Sequence, residues 1–325
     1  MDPVIKLDNV SCQFGATRAV DQVSFEVPPG VVFALLGENG AGKTTTIRMM
    51  LGLQAPGGGS LQVLGRDSGG AGTEIRRQTG YVPEQPALYE WMTVAEIGWF
   101  TAGFYPDGFE DHYRKLVKQF ELPLDRKIRQ LSKGMRAKVS LSLAMAHQPG
   151  LLILDEPTSG LDTLVRRQFL ESMVDVAADG HTVFLSSHQI PEVERVADIV
   201  AIMHQGRLLV CEPLEQLKSR LEFWTIALAE GATTLPPTAS PEFGIAGFDQ
   251  HVLDQRQTGR QVRLTMAGPD PEWLWKLRDH PAIAEIELHV PTLEEIFVTC
   301  LQQSEKMQAG FLNPRTADAG SGQTS

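Results

Sequence analysis

The chain has 325 residues, 42% hydrophobic and 21% charged, with a formal net charge of −11. That length allows one large domain and a smaller one around a sizeable core. The acidity argues against a general nucleic-acid binder, which would carry basic faces, and the scattered Cys12, Cys211 and Cys300, without a CxxC pair, argue against a disulfide framework or a zinc site.

The start, MDPVIKLDNV, carries acidic residues and no apolar stretch of the signal-peptide kind. No apolar run approaches the ~20 residues that span a bilayer, so any membrane role is expected to pass through a partner. Residues 4–7 and 23–27 read as short strands around the turn-rich 14–17. Residues 31–36 read as a strand buried on both faces. A glycine-rich turn leads into a helix over 45–51, a turn follows at 56–60, and 68–72 reads as a surface loop. From about 88 to 130 the chain looks mainly helical, with Thr93 as an N-cap. An apolar strand at 151–154, a helix near 163–178 and a strand at 182–185 come next. Residues 199–203 and 207–210 form a hairpin around Gln205-Gly206.

After about Lys218 the pattern changes, and proline and glycine thicken through 231–241. A strand at 261–266, a helix at 271–278, a strand at 283–290 and a helix at 293–301 describe a small α+β domain. The polar, Gly- and Ser-rich residues from Ser304 onward are expected to be disordered. No internal repeat is present.

The decisive stretch is Gly37-Glu38-Asn39-Gly40-Ala41-Gly42-Lys43-Thr44-Thr45, which satisfies G-x-x-x-x-G-K-[ST] between an apolar strand and a helix. Its glycines let successive backbone N–H groups curl around phosphate oxygens, and the helix adds its positive N-terminal end. Lys43 supplies a point charge for the terminal phosphates and Thr44 a hydroxyl for Mg²⁺. Further on, the strand 151–154 runs into Asp155-Glu156. A carboxylate there can hold Mg²⁺ beside the phosphate loop, and its neighbour can polarise an attacking water.

Together these residues resemble the ATP-binding cassette (ABC) ATPases, and the other family motifs follow in order over about residues 1–217. Leu131-Ser132-Lys133-Gly134-Met135 is similar to the family signature LSGGQ. Ser159-Gly160-Leu161-Asp162 matches the D-loop and His188 the switch histidine. Phe14 falls where the family stacks an aromatic ring on adenine, and Gly80-Tyr81-Val82-Pro83-Glu84 falls at the Q-loop. The resemblance implies an α/β, P-loop NTPase cassette with a mixed-sheet core. Its ATPase domain would cover 1–218, with a helical subdomain at about 88–147. A small α+β accessory domain would cover 219–303, and a tail 304–325. It implies ATP and Mg²⁺ as cofactors, with Phe14, Gly37, Asn39, Gly40, Ala41, Gly42, Lys43, Thr44 and Thr45 on the nucleotide. Ser132 and Gly134 would face the nucleotide of a second cassette packed head to tail. Lys43, Glu156 and His188 would serve hydrolysis, and Thr44, Asp155 and Glu84 the metal.

Three departures stand out: Glu84 replaces the usual glutamine, Lys133 and Met135 replace Gly and Gln in the signature, and Phe14 replaces the commoner tyrosine. LSKGM, the Pro-Glu Q-loop and Pro291-Thr292-Leu293-Glu294-Glu295-Ile296-Phe297 resemble the bacterial type-2 exporter subgroup. The implied protein is the ATPase of an exporter, peripheral on the cytoplasmic face of the cell membrane. A separate polytopic permease would dock near residues 85–92, where Leu88, Tyr89, Trp91 and Met92 either meet it or pack within the lobe. A soluble ABC ATPase acting on ribosomes or DNA is the alternative. The absence of a second cassette, long coiled-coil or zinc insertion disfavours it, and nucleic acid is not an expected partner. His147 and His181 hold no motif position and read as structural.

Overall fold

The computed structural model describes residues 2–236 and 248–302. The expected tail from Ser304, and the Pro- and Gly-rich stretch from residue 237 to 241, lie outside the described residues. The chain forms two compact units, Met1–Cys211 and Glu212–Ser325.

In the first unit β1 (Ile5–Phe14) and β2 (Thr17–Val27) pair antiparallel. They outrun the short strands read from the sequence because their outer parts are mostly exposed and carry no apolar run. β3 (Val32–Leu36), buried throughout, leads through the glycine-rich loop into α1 (Lys43–Met50). β4 (Gly58–Val63) and β5 (Arg66–Asp67) complete a sheet of order β2-β1-β4-β5. The surface loop expected at 68–72 is only part of what stands there: Ser68 is buried, and α2 (Gly72–Gln78) begins at its end. With Ile75 its one buried residue, α2 shows no apolar period in sequence.

β6 (Thr79–Val82) precedes a helical lobe of α3 (Val94–Ala102), α4 (Phe109–Gln119), a 3-10 turn at Ile128–Gln130 and α5 (Lys133–Met145). Thr93 caps α3 as its sequence predicts. Its hydroxyl accepts the Glu96 N–H at 3.1 Å while Glu96 accepts the Thr93 N–H at 2.8 Å. Ile97, Tyr113 and Val139 pack in the lobe's own core, where the Tyr113 hydroxyl donates to the Val94 carbonyl at 2.7 Å.

β7 (Leu151–Asp155), α6 (Thr163–Ala178), β8 (Thr182–Ser187), α7 (Ile190–Val193), β9 (Ile199–His204) and β10 (Arg207–Pro213) follow. The second sheet has the order β10-β9-β3-β8-β7-β6 and is parallel from β9 to β6. Gln205 and Gly206 turn β9 into β10, both at positive φ. The sheets pack through Phe25, Phe33 and Phe184, stacked with centroids 5.2 and 5.3 Å apart.

Parallel pairing decides what meets at the strand ends. Val82 is level with Leu154, Asp155 with Ser186 and Leu36 with Ser187. The segments leaving β3, β6, β7 and β8 therefore emerge on one edge, the carboxyl edge where open α/β sheets bind ligands.

The second unit holds α8 (Leu214–Arg220), β11 (Leu221–Leu228), α9 (Phe248–His251), β12 (Val252–Thr258), β13 (Gln261–Ala267), α10 (Pro271–Arg278), β14 (Ile283–His289) and α11 (Leu293–Gln302). Its antiparallel sheet runs β12-β13-β11-β14. Trp224, Ile226, Val262 and Leu264 pack with Trp273 and Leu277 of α10 on one face.

Candidate active site

The glycine-rich loop 37–42 opens α1 with Gly42 at φ 103°. A side chain there would be strained and would run into the Ala19 carbonyl, so only glycine serves. The turn points the Lys43 side chain back under the loop. Its Nζ donates to the carbonyls of Gly37 at 2.6 Å and Glu38 at 3.2 Å, and it lies 3.1 Å from Glu156 Oε1. Lys43 and Glu156 are both buried, and a buried charge is tolerated only when paired.

Thr44 donates its hydroxyl to Asp155 Oδ1 at 3.3 Å, and the Ser186 hydroxyl donates to the same oxygen at 2.6 Å. The oxygen of Ser186 in turn accepts the Glu156 N–H at 3.1 Å, and its carbonyl lies 3.2 Å from that N–H. These bonds hold Glu156 at φ 48°, a left-handed conformation unusual for a non-glycine residue. Burial, and then the Asp155 carboxylate, push the Tyr81 phenol up to about 12. The ring therefore stays protonated beside that charge.

His188 meets Glu156 twice. Its Nδ1 lies 2.7 Å from Oε2, and its backbone N–H reaches the same oxygen at 3.3 Å. The Gln189 amide nitrogen lies 3.0 Å from His188 Nε2. A proton on Nδ1, shared with the carboxylate, and a lone pair on Nε2, facing the Gln189 amide, satisfy both contacts. Ser187 accepts the Gln189 N–H at 2.9 Å and sets that turn.

The expected residues thus divide. Lys43, Thr44, Asp155, Glu156 and His188 form one hydrogen-bonded and ion-paired cluster. Asn39, Gly40, Ala41 and Thr45 belong to the loop and the first turn of α1. Phe14, half exposed at the end of β1, is not bonded to the cluster. Ser132 instead N-caps α5, its hydroxyl accepting the Met135 N–H at 3.2 Å, and Gly134 packs on Val165. Glu84 is exposed, without a hydrogen bond to Thr44 or Asp155 among the described residues. Ser186 and Gln189 were not singled out by sequence. The one available signal was a pair of serines ending an otherwise apolar strand. His181 is held by the Pro149 carbonyl at 2.7 Å, and His147 stacks on Tyr105 with burial lowering its pKa. Both sit away from the cluster as structural groups. Met92 is buried in the lobe core, whereas Tyr89 and Trp91 are exposed.

The oxygen donors Thr44 and Asp155, side by side, suit a hard divalent cation such as Mg²⁺. The loop and Lys43 suit a polyphosphate. A buried carboxylate oriented by a histidine beside them can place and deprotonate a water.

Residues 20–159 match the profile of the family described as ABC transporter. The bacitracin transport ATP-binding protein BcrA of Bacillus licheniformis is 34% identical over 224 residues, 68% of this chain and 73% of that protein. An uncharacterized ABC transporter ATP-binding protein of Bacillus subtilis, YhaQ, is 31% identical over 306 residues, 91% of this chain and 97% of that one, so the likeness extends into the second unit. The Nod factor export ATP-binding protein I of Paraburkholderia xenovorans is 34% identical over 63% of this chain and 69% of its own. Among solved structures, an ATP-binding subunit of an ABC transporter superposes with a TM-score of 0.61 at 33% identity, covering 66% of this chain and 92% of that one. On its matched sequence, its fold and its relatives, the chain belongs to the ATP-binding subunits of ABC transporters, a family of ATPases that bind ATP and ADP.

Proposed function

We propose that this subunit is the motor of a membrane exporter, closing on a second cassette when both bind ATP and reopening after hydrolysis. The observation that carries the reading is the Lys43–Glu156–His188 cluster beside Thr44 and Asp155. The export direction draws on the LSKGM signature and on the relative named for Nod factor export. No helix among the described residues is long and apolar enough to cross a membrane, which fits a permease supplied by another chain. The motor then lies peripherally on the cytoplasmic face of the cell membrane.

In this mechanism the N–H groups of 37–45 and Lys43 hold the phosphates, and Phe14 stacks on the base. Thr44 and Asp155 hold Mg²⁺, which when bound neutralises charge on the terminal phosphates. Glu156 orients the water and takes its proton, while His188 fixes the carboxylate in place. Ser132 and Gly134, at the start of α5, face the phosphates bound by the second cassette, so a lone chain hydrolyses slowly. The exposed Tyr89 and Trp91 lie with ring centroids 6.2 Å apart, and Tyr89 continues to Phe100, centroids 5.4 Å apart. This aromatic surface on the lobe is the permease contact. The first unit is the ATPase domain and the second an accessory domain.

The test is capture of the Glu156→Gln variant with Mg-ATP from detergent-solubilised membranes of the native host. A stoichiometric polytopic membrane protein is the expected companion. Ribosomes, DNA or the chain alone, from well-solubilised membranes, would overturn the exporter assignment and leave the ATPase in place. Trp91→Ala is expected to weaken that capture without unfolding the protein.

A further inference from the structure

Arg166, in the first turn of α6, stands between the loop that precedes that helix and the turn that carries His188. Its guanidinium has three partners. Nη2 donates to the Leu161 carbonyl at 2.8 Å, Nη1 donates to Glu192 Oε1 at 2.8 Å, and Nη1 also reaches Gln189 Oε1 at 3.5 Å. The Arg166 and Glu192 side chains are only 18% and 23% exposed, so their ion pair lies largely out of water. Leu161 belongs to the Ser159–Asp162 motif, and Asp162 caps α6 by accepting the Val165 N–H at 3.0 Å. One cationic side chain thus joins the end of that loop to the turn after β8. The Leu161 carbonyl holds the far end of the guanidinium, and Glu192 neutralises its charge.

Donor and acceptor capacities give this chain of contacts a direction. A guanidinium only donates, so the Gln189 amide turns its oxygen toward Arg166 and its NH₂ toward His188 Nε2, 3.0 Å away. An NH₂ group only donates, so Nε2 accepts and the ring proton sits on Nδ1. There it faces Glu156 Oε2 at 2.7 Å, an oxygen that only accepts when the carboxyl is ionised. With the amide reversed, its oxygen would face Nε2 and draw the ring proton away from Glu156.

We infer that Arg166 is a positioning residue for ATP hydrolysis: it orients the Gln189 amide, and the amide fixes His188 in the tautomer that donates to Glu156. Among the described residues the bonds of Arg166 reach neither Glu156 nor Lys43. Its effect on the reaction therefore passes through Gln189 and His188. The consequence for turnover rests on Glu156 acting as the base, as proposed above; the tautomer does not.

The experiment reads tautomer and rate separately on the full chain. Nitrogen NMR of the His188 ring, assigned by its loss in His188→Ala, is recorded beside kcat, KM for ATP and thermal midpoint. The variants are Gln189→Leu, Gln189→Glu, Arg166→Met and Glu192→Gln. The parent is expected to carry the His188 proton on Nδ1. Gln189→Glu sets an acceptor at Nε2, so a proton should appear there, while Gln189→Leu and Arg166→Met should leave a mixture of tautomers. These three should each lose about tenfold in kcat with KM within about twofold, a part of what a positioned base supplies. Glu192→Gln keeps an acceptor for the guanidinium, so its thermal midpoint should fall while tautomer and kcat stay parental. Arg166→Met added to Gln189→Leu should lower kcat no further, because both act through one link. A parent proton on Nε2, an Arg166→Met chain with the parental tautomer, or losses that multiply in the double variant would overturn the relay. So would equal kcat losses in Arg166→Met and Glu192→Gln, the mark of an arginine that only supports the fold. If Arg166→Met fails to fold, combining it with Glu192→Leu removes the orphaned carboxylate, and the same spectrum decides. Failure of the base assignment is separable: Glu156→Gln at the parental rate would sink that, while the spectra still decide the tautomer.

Discussion

His188 presents both its Nδ1, at 2.7 Å, and its backbone N–H, at 3.3 Å, to one carboxylate oxygen of Glu156. Two contacts on one oxygen fix the carboxylate's rotation, which a single hydrogen bond would leave free. A general base held in this way keeps its aim at a water across many turnovers.

Glu156→Gln is therefore expected to keep ATP affinity and lose about 10²–10⁴-fold in kcat, the usual contribution of a positioned base. His188→Ala should lose less, because Ser186 still anchors the Glu156 backbone. Phosphate release and nucleotide titration on the same preparations check this. A Glu156→Gln variant at parental rate would remove Glu156 from the mechanism.

Gly42→Ala tests the loop. At φ 103°, with the Ala19 carbonyl where a Cβ would stand, the loop must open to admit the methyl group. Left-handed strain of about 1–3 kcal/mol predicts a loss of ATP affinity of about tenfold or more. Calorimetric titration with Mg-ATP reads it directly, and unchanged affinity would show that the loop's shape is dispensable.

Gly98→Ala tests the lobe. A Cβ on α3 at that position would overlap the ring of Tyr113, which is fully buried and bonded to the Val94 carbonyl. Overpacking of this kind costs about 1–3 kcal/mol, and a fall in thermal midpoint of about 5 °C is expected. Gly103→Ala, near the end of the same helix, would meet only an ordinary contact and serves as the control.

The second unit has its own acid-sensitive element. Glu295 accepts the Thr292 N–H at 2.9 Å and hydroxyl at 3.0 Å, and its own N–H donates to Thr292 Oγ1 at 3.2 Å. Burial alone would raise the Glu295 pKa, but the bonds from Thr292 and the neighbouring His289 outweigh it and leave the carboxyl below its usual range. A depressed folded-state pKa stabilises above the ordinary glutamate range, and that contribution is lost as pH falls through the folded value. Thr292→Ala should cost about 1 kcal/mol at neutral pH, as the loss of a helix N-cap does. Glu295→Gln should flatten the acid limb of the second unit's stability profile. Denaturant melts from neutral to acid pH distinguish the two, and an unchanged acid limb in Glu295→Gln would discount the carboxylate.

What chain order alone determined was local. The residues 37–45 carry their chemistry in consecutive positions, and Asp155-Glu156 ends an apolar run that reads as a strand and is one, β7. The helix 271–278 and the Thr93 cap were legible for the same reason, since each depends on neighbours within one or two turns. The tertiary structure decided the rest. β11 lies between β13 and β14; its residues 224–228 alternate buried and half-buried, a period of two left unassigned from sequence because only pairing on both sides makes it a strand. Ser186 bridges Asp155 and Glu156 only because parallel pairing sets it level with Asp155. Glu84 and Lys133, far apart in the chain, share a cavity because the segment after β6 and the start of α5 fold against one another. Register and packing join residues by distance in space, which no local pattern encodes.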